Sequence, residues 1–200
     1  MVTTRPKDTE YRVIKDEQKM AYRYLGNTGM KVSVLSYGNW LTTDQNTAET
    51  QQLVTDCIKK CYEMGINYFD SAELYAFGAA EKQMGVALKE LNAPRKDIVV
   101  STKLIKVGTG PNDIGLSRKR IIEGTRASLK RLQLDYVDII FAHRPDYSTP
   151  IEEIVRGFSW LIDNGLAHYW GTSEWTAVKF EEACQVAERL KLHAPVVEQC

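Results

Sequence analysis

Short apolar runs alternate along this chain with longer stretches whose apolar residues recur every three or four positions. Tyr22-Arg23-Tyr24-Leu25 and Lys31-Val32-Ser33-Val34 flank the turn Gly26-Asn27-Thr28-Gly29, which predicts a β-hairpin. Val34 to Gly38 predicts the strand that opens the domain proper. Behind a cap at Asn46-x-x-Glu49, residues Leu53, Val54, Cys57, Ile58, Cys61 and Tyr62 share one helical face, and Gly65 ends that helix. Further strands are predicted at 66–70, 98–103, 137–142 and 168–171, with a last one beginning at 196. Helices fill the intervals at 79–91, behind a cap at Ser117, through Ile154 to Ile162 with Gly165 as C-terminal cap, and at 176–192. Val137 to Ala142 is almost wholly apolar, as a strand buried on both faces must be.

This alternation predicts a parallel sheet with right-handed crossovers, hence an α/β fold. Two architectures compete, a doubly wound open sheet and a (β/α)₈ TIM barrel. A GxGxxG turn after the first strand would favour the open sheet, and the sequence has none there. Polar residues close strand after strand, which favours the barrel, because its strand ends converge on one pocket.

Composition narrows the class. With 44% hydrophobic and 26% charged residues in 200, the chain has the make-up of an ordinary globular protein with a real core. A formal net charge of zero supplies no electrostatic footprint for nucleic acid or an anionic membrane. No apolar run approaches the roughly 20 residues of a membrane span, and no apolar leader opens the chain. The four cysteines form no CxxC pair, so a metal site is not expected, and reduced thiols in a cytoplasmic setting are. Residues 1–20 carry both charges with little apolar periodicity and read as a mobile tail ahead of one domain at 21–200.

The strand ends carry the chemistry. Asp70, Lys103 and His143 stand where three apolar runs stop, and Tyr75 follows Asp70 on the next loop. A free tyrosine, with a pKa near ~10, is a weak proton donor at neutral pH. A neighbouring ammonium stabilises the phenolate, and a carboxylate keeps the ammonium in place. A histidine beside a carbonyl oxygen orients it and supports its developing negative charge. Each of these residues alone has a commoner structural role, as an ion pair, a half-buried aromatic or a hydrogen-bonded imidazole. Together at successive strand ends they describe a site that protonates a carbonyl oxygen during reduction.

The motifs Tyr24-Leu25-Gly26-x-x-Gly29, Asn67-Tyr-Phe-Asp-Ser-Ala-Glu-Leu-Tyr75, Ser101-Thr-Lys103, Asp135-Tyr-Val-Asp138, His143-Arg-Pro-Asp146, Trp170-Gly-Thr-Ser-Glu-Trp175 and Glu198-Gln199 resemble those of aldo-keto reductases. Within that family the chain looks like the branch of potassium-channel β-subunits. The resemblance runs from about residue 21 to the end. It implies an NADPH-dependent oxidoreductase of aldehydes and ketones on a TIM barrel. By this resemblance Tyr75 would be the proton donor, Lys103 and Asp70 would tune it, and His143 would orient the substrate. Ser173 and Gln199 would bond the nicotinamide carboxamide. Asn39, Trp40 and Gln45, after the first strand, would line the cofactor and substrate mouth, with Trp170 and Trp175 assignable equally to rim or core.

Such a barrel closes with eight strands, and this chain carries about six after the hairpin. It therefore reads as a part of a longer protein, with two long open strand edges and an unfilled interior; association into a homo-oligomer is the other way to complete it. The resemblance implies two classes of partner, a small-molecule carbonyl substrate and a cytoplasmic channel domain. Animal channel β-subunits carry asparagine at the place of His143 and arginine at that of Glu174, which tilts the reading toward an enzyme. A channel-regulatory subunit and an inactive fragment are the alternatives.

Overall fold

A computed structural model describes residues 20–40 and 47–200 of the chain. The tail expectation, save its last residue, and the cap at Asn46 lie outside these residues.

Tyr22–Tyr24 (β1) and Lys31–Ser33 (β2) pair as the antiparallel hairpin. Then come Tyr37–Gly38 (β3), Ala48–Glu63 (α1), Tyr68–Asp70 (β4), Ala79–Leu91 (α2) and Val99–Leu104 (β5). Arg118–Leu132 (α3), Val137–Ala142 (β6), Ile151–Asp163 (α4), Ala167–Ser173 (β7), Ala177–Leu190 (α5) and Glu198–Gln199 (β8) complete the order. Among the described residues β3 to β8 form one parallel sheet in sequential order, with successive helices packed side by side outside it. This is the curled, barrel-type half-sheet that the alternation predicts.

Local chemistry sets the boundaries. Thr47 caps α1 in a reciprocal box with Thr50. Ser117 caps α3 through the Arg120 amide, and Thr176 caps α5 through that of Lys179. Asn164 is the C-cap of α4, and Gly165 follows it in the left-handed region at φ 70°. The opening strand is shorter than the apolar run that signals it. The Val34 amide bonds back to Ala21, Ser33 Oγ donates to Leu35, and both apolar side chains stay exposed.

Period-two alternation divides the central strands β4, β5 and β6 between two cores. On the helix side Phe69, Val100, Leu104 and Ile140 pack with Ile58, Met84, Ile121 and Phe158. Trp170 joins them, stacked on Phe158 at 4.8 Å and 4°, a contact worth about 1 kcal/mol beyond burial. Inside the curl, Val99, Ile139 and Phe141 are covered by Leu25, Met30 and Val32 of the hairpin. The hairpin thus fills the base of the curl, and the edge strands β3 and β8 are two residues each. Among the described residues the sheet presents no long open edge.

Candidate active site

Alternation on β4 and β5 turns Tyr68, Asp70, Ser101 and Lys103 to the inner face, while Thr102 and Leu104 face the helices. Asp70 and Ser101 are register partners, and the His143 amide extends the β5–β6 ladder by donating to Leu104 at 3.0 Å. Three strand ends thereby deliver Asp70, Lys103 and His143 to one place.

Lys103 has no solvent exposure. Its ammonium forms an ion pair with Asp70 Oδ2 and donates to the Ser71 carbonyl at 2.8 Å and to the Tyr75 hydroxyl at 3.3 Å. Three donors meet three acceptors, the condition on which a buried ammonium is tolerated. The other oxygen of Asp70 accepts from Ser101 Oγ. The His143 ring stands edge-on to that of Tyr75, centroids 5.6 Å apart at 80°. Burial, with the Lys103 and Arg144 charges, pulls the imidazole down to about 4, so it is neutral at pH 7. Its Nδ1 is buried with no partner among the described residues.

The predicted tetrad residues are therefore together; the mouth residues divide. Trp40 is 70% exposed, its ring 6.4 Å from that of Tyr75. Asn39 is buried; its amide group donates to Ala80 at 2.8 Å, and its Oδ1 has no partner among the described residues. Ser173 ends β7, and its hydroxyl accepts from Arg144, which also donates to the His143 carbonyl at 2.6 Å. Gln199 ends β8, two strands beyond the one that leads to His143, and its carbonyl accepts from Glu174 at 3.1 Å. Gln45 lies outside the described residues. Trp170 and Trp175 are both buried. Cavities of about 750 and 810 Å³ open beside the hairpin, lined respectively by Lys31, Asn67 and Asp138 and by Met30, His168 and His193; no tetrad residue lines either.

Sequence reasoning missed Ser101 and Arg144. Ser101 stands two residues before Lys103, so strand parity could have found it. The tie from Arg144 depends on how the chain leaves β6, and no pattern signals that.

A family model for the aldo/keto reductases matches residues 34–199. The chain belongs to the aldo/keto reductase family. A probable voltage-gated potassium channel β-subunit of Arabidopsis thaliana is 54% identical over 181 residues, covering 90% of this chain and 54% of the relative. Its counterpart in rice (Oryza sativa subsp. japonica) is 53% identical over 182 residues, with the same coverage. A putative β-subunit of Schizosaccharomyces pombe is 49% identical over 185 residues, covering 91% of this chain and 53% of that one. The crystal structure of a thermostable aldo-keto reductase in complex with the inhibitor epalrestat superposes with a TM-score of 0.78 at 26% identity, over 90% of this chain and 61% of the other. This aldo/keto reductase chain thus spans about half the length of the curated relatives it matches.

Proposed function

We propose that the chain carries the proton-transfer site of an NADPH-dependent oxidoreductase that reduces aldehydes and ketones to alcohols in the cytoplasm. The observation that carries this reading is the Tyr75 hydroxyl 3.3 Å from a buried, Asp70-paired Lys103 ammonium, beside a neutral His143. When bound, NADPH would supply a hydride to the carbonyl carbon. Tyr75 gives its hydroxyl proton to the carbonyl oxygen, and the resulting phenolate faces the Lys103 ammonium. Asp70, steadied by Ser101, holds that ammonium. His143, being uncharged, donates a hydrogen bond to the carbonyl oxygen without competing as an acid.

The residues fit a carboxamide-bearing ring. Asn39 Oδ1 is a buried acceptor with no donor among the described residues, and the Ser173 hydroxyl accepts from Arg144 while keeping a proton to give. Trp40 and Gln199, with Gln45, complete the proposed lining. Family membership supports a nicotinamide cofactor, and the preference for NADPH rests on the resemblance. A fluorescence titration of the chain with NADPH, with NADH as control, tests this. Saturable binding, tighter for NADPH, is expected; a folded chain that binds neither nucleotide overturns the reading.

A second reading is favoured by the names of the plant and yeast relatives: a regulatory subunit that binds NADP(H) and docks on a cytoplasmic channel domain. Tyr75→Phe separates the two, because it removes turnover and leaves such a complex intact.

A further inference from the structure

Tyr75 sits in a strained turn. Ala76 and Phe77 have φ of 47° and 50°, and Gly78 has φ of 86°, so three successive residues are left-handed. Side chains with a Cβ avoid that region, and runs of it persist only where the surroundings hold them. Phe77 is 75% exposed, so its own packing supplies little of the hold.

Two buried carboxylates flank the turn, and neither belongs to the tetrad. Glu73 precedes Tyr75 by two residues and Glu81 follows it by six, and both have no solvent exposure. Each is paired with an arginine of α3, Glu73 with Arg120 in the first turn and Glu81 with Arg131 in the last. Each also bonds the chain on one side of Lys103, Glu81 within β5 and Glu73 at the residue that follows it. Glu81 accepts from Thr102 Oγ1, and Glu73 accepts from the Ile105 amide at 2.7 Å. The Glu73 amide donates to the Lys103 carbonyl itself at 3.2 Å.

The glycines are placed to admit the arginines. A Cβ on Gly78 would stand 2.8 Å from Arg131 Cδ, and one on Gly124 would meet the Arg120 guanidinium. Buried ion pairs are poor sources of net stability, because desolvation offsets the attraction. Two of them, from one helix, bracketing one turn and one strand end, have a geometric use instead.

We propose that Glu73–Arg120 and Glu81–Arg131 are a two-point clamp through which α3 sets the Tyr75 hydroxyl against the Lys103 ammonium. These four are positioning residues, and their effect on chemistry rests on the reading of Tyr75 as proton donor; the hold on the turn does not.

The test uses the full chain labelled with 3-fluorotyrosine, the Tyr75 fluorine line being assigned by its loss in Tyr75→Phe. Glu73→Gln and Glu81→Gln keep volume and remove the charge, and Arg131→Lys keeps the charge. In either Gln variant the Tyr75 line moves or broadens, and amide exchange at 74–78 rises at least about tenfold relative to exchange in α5. Arg131→Lys retains most of the wild-type line. Aldehyde turnover with NADPH falls at least about tenfold at a KM within about twofold, as expected when a proton donor is displaced.

An unchanged line and turn exchange in a folded Gln variant overturns the clamp. So does exchange that rises equally across the chain, since that marks general loosening. Should a Gln variant not fold, Thr102→Val, which takes one bond from Glu81, is read by the same two signals. A wild-type chain that does not oxidise NADPH sinks the functional reading alone, because fluorine and exchange still decide the clamp.

Discussion

Asp70, Lys103 and His143 are legible because each interrupts an apolar run where a parallel strand has to end, and a polar side chain there faces the strand-end pocket. Tyr75 is legible only through its motif, since its place depends on a turn whose left-handed residues no propensity foretells. The ammonium of Lys103 explains Ser101 as well, whose hydroxyl holds its carboxylate partner, while the backbone carbonyl of Ser71 accepts from the ammonium directly. His143 makes a prediction of its own. Its burial and the neighbouring Lys103 and Arg144 charges lower it from 6.5 to about 4 in the folded chain. Between those values the unfolded chain takes up the proton first, so stability falls as pH drops from 6.5 toward about 4 and is unaffected by this group above 6.5. His143→Asn removes that contribution. In urea denaturation the wild type should lose stability relative to the variant across this window, and parallel profiles would show that the imidazole is not buried as described.

Helices read better than strands. The 3.6-residue period of α2 and α4 runs over more than ten residues, whereas β3 and β8 are two residues long and carry almost no pattern. The run Val34–Leu35 misleads because apolar residues leaving a hairpin look like a strand until backbone bonding is known. Packing between α2 and α3 is tested at Gly85. Glycine to alanine in a helix ordinarily stabilises by about 1 kcal/mol. Here a Cβ would lie 2.6 Å from the Leu132 carbonyl oxygen and 2.8 Å from that of Arg131, both backbone atoms that cannot swing aside. Gly85→Ala should therefore destabilise by about 2 kcal/mol in thermal or urea unfolding. A variant more stable than wild type would mean that the helices do not approach this closely.

At the scale of the molecule, the hairpin across the base of the curl and the helices outside it leave the C-terminal strand ends as the place where the tetrad residues meet. The expectation of long exposed edges came from counting strands, which says nothing of their length or of what covers them. Leu25, Met30 and Val32 cover the base, and among the described residues the edges are too short to offer an extended ladder. The chain spans about half of its curated relatives, so whether this half-sheet performs the proposed chemistry is the central question. The most direct measurement is NADPH oxidation by the 200-residue chain with a simple aldehyde, wild type beside Tyr75→Phe. The account predicts turnover in the wild type and a loss of about 10²- to 10⁴-fold in the variant, the usual weight of a general acid. Equal turnover in the two proteins, or none in a folded wild type, would contradict it.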